Sequence, residues 1–196
     1  MKILMKSALM IAVILYSTGI FADDTTKDEV TMVLVMKTNM GTIEFELFTD
    51  KAPKTTTNFL SYVMESFYDS TVFHRVIKGF MLQCGGYTVD YQKKNTKPPI
   101  ENEAANGLKN DRGTLAMART GEIHSATSQF FINHADNTFL DHKNDTPKGF
   151  GYCVFGKVTK GMDVVDKIAN VSVQRGTFSE AVPLKPVIIE SLKVKE

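Results

Sequence analysis

The sequence predicts an all-β fold, a sandwich or a barrel, carrying two amphipathic helices. Eight short apolar runs with strand character recur along the chain, and Gly, Asn, Asp and Pro break them apart. Two further stretches show a helical repeat of apolar residues instead. Many short strands separated by turn residues are the pattern of a sandwich or barrel.

The first pair of strands is TMVLVMKTNMGTIEFELF, residues 31–48. Ile43, Phe45 and Leu47 alternate with Glu44 and Glu46, the period of a half-buried strand, and TNMG supplies a hairpin turn. DKAPKTTTNFLSYVMESFY follows, with Pro53 near a helix start and Phe59, Val63 and Phe67 at four-residue steps. Leu60 and Met64 widen that face. Strands are then expected at 72–77 and 80–84, a long loop at 89–112, and strands at 114–118, 129–133 and 153–158. In TKGMDVVDKIANV, Thr159 is the expected N-cap, with Met162, Val165, Ile168 and Ala169 on one stripe. A strand at 187–194 closes the series.

The chain opens on MKILMK, then SALMIAVILY, then STGIFADD, the layout of a secretory signal peptide. Its uncharged run, 7–22, is shorter than the roughly 20 residues of a membrane span. The expected organisation is a signal peptide over 1–22, a solvated tether over 23–30 and one domain over 31–196. Cleavage after Gly19 and an uncleaved anchor stay open as alternatives. Removing 1–22 takes away Lys2 and Lys6, leaving 21 basic against 22 acidic side chains. That balance carries no nucleic-acid footprint and no polybasic membrane patch. Cys84 and Cys153 both lie in apolar strand runs, so a disulfide and two core thiols both stay open.

One run is chemically odd. FHRVIKGFMLQCGG, residues 73–86, places Arg75 inside an apolar strand. Alternation puts Phe73, Arg75 and Ile77 on one face and Val72, His74 and Val76 on the other. A guanidinium there either reaches solvent along its own stem or serves a site. SATSQFFIN repeats the pattern, with Gln129 and Phe131 on one face, Phe130 and Ile132 on the other. His124, His134 and His142 occur near Asp136, Asp141 and Asp145, but match no zinc or calcium ligand spacing. They read as a polar surface loop, and no metal is expected. No G-x-S-x-G elbow occurs, and the paired glycines do not open a helix after a strand.

Taken in order, FHRVIKGFMLQCGG, GTLAMART, SATSQFFIN, FLDHK and YCVFGKVTKGMDVVDKI resemble the cyclophilin family of peptidyl-prolyl cis-trans isomerases. The resemblance spans 31–196, and the loop between Gly86 and Thr114, shortened relative to other family members, is similar to the exported bacterial branch. It implies a closed eight-stranded antiparallel barrel capped by two α-helices. Such a barrel is filled by its own side chains, so a peptide site lies outside it.

The resemblance also implies the site. Arg75 would be catalytic, while Phe80, Met81, Phe131 and Leu140 would line a proline pocket. Gln83, Ala118, Arg119 and Gln129 would hold the peptide backbone, and Phe139 and Tyr152 would stand at the pocket edge. Bringing Phe80 and Met81 together requires a bend at Gly79. Four residues depart from common family members: Cys84 replaces Gly beside the groove, Arg119 replaces Asn, Phe139 replaces Trp and Tyr152 replaces His. Loss of the Trp implies weak cyclosporin binding. The implied protein is a periplasmic, monomeric, cofactor-free isomerase of X–Pro bonds in folding or exported proteins. A periplasmic holdase that grips Pro-containing segments with little catalysis is the alternative.

Overall fold

All eight expected strand runs form in the computed structural model, which describes residues 32–176 and 179–195. The expected signal peptide and tether lie outside the described residues. The strands are β1 (Val33–Thr38), β2 (Gly41–Leu47), β3 (Thr71–Val72), β4 (Arg75–Ile77), β5 (Met81–Cys84) and β6 (Thr114–Met117). After them come β7 (Phe130–Asn133), β8 (Val154–Lys160), β9 (Val173–Gln174), β10 (Val182–Pro183) and β11 (Ile188–Val194). The helices are α1 (Pro53–Met64) and α2 (Met162–Ala169).

Pairing is antiparallel throughout, in the order β3-β11-β1-β2-β8-β6-β7-β5-β4, and β9 pairs with β10 separately. The main sheet therefore has nine strands, not the eight expected, because the run at 72–77 is divided. Phe73 donates its N–H to the carbonyl of Val187 just before β11, and His74 donates to Gln83 in β5. The chain changes hydrogen-bonding partner between these two residues. That switch breaks the expected alternation. Phe73 turns into the main core with Val76, while Arg75 stays on the opposite side.

In β5, β6, β7 and the start of β8 the two-residue period holds and builds two apolar layers from the same strands. Leu82, Leu115, Phe130, Ile132 and Phe155 face the main core, while Met81, Ala116, Phe131 and Val154 form a second cluster on the other face. Successive strand side chains point to opposite faces, so each strand serves both layers. From α1, Phe59 fixes the core: its ring centre lies 5.0 Å from Phe155 and 5.2 Å from Phe130 and Tyr68. Tilted and edge-on rings at this spacing add to the gain from burial.

The helices differ from expectation in their faces and starts. Pro53 begins α1 as expected, but Tyr62 joins Phe59 and Val63 in the buried stripe, and Met64 is 77% exposed. Thr159 lies inside β8, so it caps nothing; Gly161, at φ 88°, is the N-cap of α2. A Cβ at Gly161 would collide with the carbonyl oxygen of Thr42, so the close approach of β2 sets where the helix starts. Cys84 and Cys153 are free and buried. Cys84 belongs to the main core, so it faces away from the groove it was expected to border.

Candidate active site

The second apolar cluster is the floor of a groove on the outer face of β4 to β8. A cavity of about 160 Å³ opens there, lined by Arg75, Phe80, Met81, Gln83, Ala118, Arg119, Phe131, Leu140 and Tyr152. All nine are residues singled out from the sequence. Gln129 lines an adjoining cavity of about 120 Å³, together with Gln83, Ala118 and Arg119. Phe139 lines neither; it is 61% exposed and stacks on Phe80 with ring centres 5.6 Å apart.

Register explains the assembly. Arg75 pairs with Gln83 across β4 and β5, and Gln83 pairs with Phe131 across β5 and β7. Phe131 in turn pairs with Ala116 across β7 and β6. One row of residues thus crosses four strands on the outer face. Gly79, at φ 76°, bends the β4–β5 connection and brings Phe80 beside Met81. This is the bend that strand parity alone does not supply.

Polar groups are fixed around the apolar floor. Gln83 Nε2 donates to Gln129 Oε1 at 2.9 Å. A Cβ on Gly86 would lie 2.6 Å from Gln129 Cγ, so this glycine leaves the room that the amide occupies. Tyr152 packs edge-on against Phe131 at 5.7 Å, and its backbone N–H donates to Leu140 at 2.9 Å.

The two arginines differ. Arg75 holds its Cζ 5.7 Å from the Phe80 ring centre, and Nη1 lies 3.7 Å from Met81 Sδ. A thioether is a weak acceptor, so the donors of Arg75 stay available to a ligand. Arg119 instead donates from Nε to Gly151 at 2.9 Å, from Nη1 to Thr120 at 2.9 Å and from Nη2 to Pro147 at 2.8 Å. Its Cζ also lies 4.9 Å from the Tyr152 ring centre. Beside Arg75, burial holds the His74 imidazole down at about 4; the Arg75 charge adds to this, and a backbone hydrogen bond at Val72 opposes it.

Sequence reasoning misses the supports. The N–H of Gly79 donates to His134 Nδ1 at 2.9 Å, so the imidazole proton sits on Nε2, which meets Asp166 Oδ1 at 2.9 Å. The N–H of His134 and Nδ2 of Asn137 both donate to the carbonyl of Phe80 at 2.9 Å. The expected polar loop is in this sense part of the site's frame. Asp136 accepts the Arg112 N–H at 2.8 Å, and Asp141 accepts that of Asn110 at 2.8 Å.

An outer-face apolar pocket beside uncommitted guanidinium donors suits a small ring on a peptide, and known proteins share this chain's sequence across it. The family model for cyclophilin type peptidyl-prolyl cis-trans isomerase matches residues 33–194. The chain belongs to the cyclophilin-type peptidyl-prolyl cis-trans isomerase family. Among curated cyclophilins it is 55% identical to peptidyl-prolyl cis-trans isomerase B of Escherichia coli, over 84% of this chain and all of that protein. It is 57% identical to a peptidyl-prolyl cis-trans isomerase of Acinetobacter baylyi, over 82% of this chain and 84% of that protein. A solved Cryptosporidium parvum cyclophilin, crystallised in the presence of the dipeptide Ala-Pro, superposes with TM-score 0.69 at 27% identity. That match covers 84% of this chain and 99% of the other. The cyclophilin described here is a peptidyl-prolyl cis-trans isomerase.

Proposed function

We propose that the groove binds Pro-containing polypeptides and accelerates X–Pro rotation by presenting the Arg75 guanidinium to the proline nitrogen. Rotation about an amide crosses a barrier of about 18–20 kcal/mol because it sacrifices C–N resonance. Uncatalysed exchange takes roughly 10–100 s. Turnover at about 10–1,000 per second requires removing only about 3–7 kcal/mol. As the bond twists, the proline nitrogen pyramidalises and its lone pair localises. A donor aimed at that lone pair binds the twisted state better than the planar one. Phe80, Phe131 and Leu140 hold the ring, and the apolar surround strengthens the contact by excluding water. No covalent intermediate and no cofactor enters this route.

The observation that carries the reading is the state of Arg75. It stands at the pocket wall between Phe80 and Met81, with its donors committed to no carboxylate or carbonyl among the described residues. The Ala-Pro dipeptide present with the Cryptosporidium parvum relative supports a proline-bearing ligand. Signal-directed export to a periplasm, where folding or exported proteins would be substrates, rests on the sequence layout of residues 1–22. Action as a monomer and weak cyclosporin binding belong to the same reading. So does a barrel closed through 71–77, since β3 and β4, the two ends of the sheet order, are only two residues apart.

The test is prolyl isomerisation of a peptide by the protein and by Arg75→Ala, with peptide affinity measured alongside. Arg75→Ala is expected to lose about 10²–10³ in turnover, the scale of removing one transition-state donor, while keeping most of its affinity. Arg75→Lys is expected to recover little, because a point charge does not reproduce the planar array of donors. Undiminished turnover in the alanine variant rejects the role of Arg75. Binding without turnover in the unaltered protein favours the holdase.

A further inference from the structure

Three cavities meet at one side chain. The proline-sized cavity and its neighbour share Gln83, Ala118 and Arg119. A third, open and about 500 Å³, is lined by Arg119, Thr120, Gly121, Pro147, Lys148 and Tyr152. Arg119 lines all three, and no other residue does.

What holds Arg119 determines what it offers. Three of its five N–H donors are bound to backbone carbonyls, and its Cζ lies over the Tyr152 ring. All of these partners are neutral. The guanidinium is therefore immobilised without being neutralised, and among the described residues no carboxylate forms an ion pair with it. Two N–H donors are left. Lys148 brings a second cation to the third cavity and likewise has no ion pair among the described residues. The nearby acids do not compensate. Glu122 is exposed beyond Gly121, and Asp145, 93% exposed at its side chain, lies 3.8 Å from His142.

We propose that Arg119 and Lys148 form a specificity subsite for an acidic side chain on the residue immediately before the substrate proline. The inference rests on the groove being the peptide track. A chain with its proline in the first cavity and its upstream backbone in the second must cross Ala118 and Arg119, which both cavities share. The residue joined to the proline nitrogen then lies over Arg119, with the third cavity open to its side chain. A fixed cation favours Glu or Asp there and disfavours Lys or Arg. Preorganisation makes the preference larger than a mobile surface lysine would give, because no side-chain freedom is lost on contact. The cavity is open to solvent, so the preference must weaken with salt.

The experiment measures kcat/KM for three peptides identical except for Glu, Gln or Lys before proline, each at low and at high salt. The expected order is Glu, Gln, Lys. The Glu peptide should exceed the Lys peptide by about fivefold at low salt, the upper range for an exposed pair. Near 0.5 M salt that ratio should fall below about twofold as screening sets in. Lys148→Glu is expected to cut the low-salt ratio by at least half. Equal rates for the Glu and Lys peptides at low salt, with the Gln peptide turning over, overturn the subsite and leave the isomerase reading intact. No turnover of any of the three peptides overturns the reading of the groove itself, and the subsite with it.

Discussion

Arg75 and Arg119 face one groove with the same side chain, and their partners separate their roles. Arg75 meets a thioether and a ring, whereas Arg119 meets three carbonyls and a ring. A guanidinium held by the protein's own carbonyls is a fixed charge that can select a ligand, whereas one whose donors are uncommitted can follow a substrate through a reaction. Sequence alone does not distinguish them, because two of the three carbonyls that hold Arg119 come from a loop some 30 residues further on. The cysteines are another contrast between sequence and structure. Both thiols are removed from water, and burial raises Cys84 well above its usual range and Cys153 to about 11. A thiol so shifted presents almost no thiolate near neutral pH. Neither cysteine should react with a thiol-directed reagent in the folded protein, and both should react once it is unfolded without reductant. A count of zero after unfolding would instead identify a disulfide.

The β4–β5 connection is the element on which the pocket depends, and its frame comes from three separate segments. Gly79 is held by His134, His134 by Asp166 on α2, and Asp166 Oδ1 also accepts Arg112 Nη2 at 2.7 Å. That hydrogen bond from Arg112 is the main reason the Asp166 carboxyl titrates below its usual value. His134→Ala removes the acceptor for Gly79 and loosens the loop that carries Phe80. KM is expected to rise several-fold with kcat less affected, because in the proposed mechanism the ring holds substrate while Arg75 acts on the nitrogen. His134→Asn, which keeps an acceptor near the Nδ1 position, is expected to restore most of the affinity. If Asn and Ala behave alike, the Gly79 contact does not position the pocket. Strand alternation is legible in the sequence and places Gln129 with Phe131 correctly, because period two is a local property. It fails at Phe73 because the switch of partner from β11 to β5 is set by distant segments. The β9–β10 ribbon escapes as well, since two-residue strands carry no period and Pro183 argues against one. The start of α2 is misread at Thr159 because the deciding contact, Gly161 against Thr42, is tertiary.

At the scale of the whole molecule, the short segment joining β3 to β4 ties the core to the site. Thr71 and Val72 pair with β11 at one end of the sheet order, and Arg75 to Ile77 pair with β5 at the other. His74 sits between them, 4% exposed, with its ring 4.6 Å from that of Tyr87. Its burial makes the stability of the fold depend on pH. The folded imidazole takes up its proton only near pH 4, whereas in the unfolded chain it does so near 6.5. Between those values the unfolded state binds more protons, so acid favours unfolding. The contribution of His74 is complete above about pH 6.5 and is lost as the pH falls toward 4. The shift corresponds to about 3 kcal/mol at most, a large part of the 5–15 kcal/mol typical of a domain. Urea unfolding at pH 7 and at pH 4.5 measures it. The protein should lose clearly more stability over that interval than His74→Gln, which cannot titrate there. Equal losses in the two proteins would assign the acid sensitivity to the carboxylates and remove His74 from the account. Because the folded imidazole stays neutral until about pH 4, turnover per folded molecule should hold across the interval in which stability falls, and positive charge is added beside Arg75 only near pH 4.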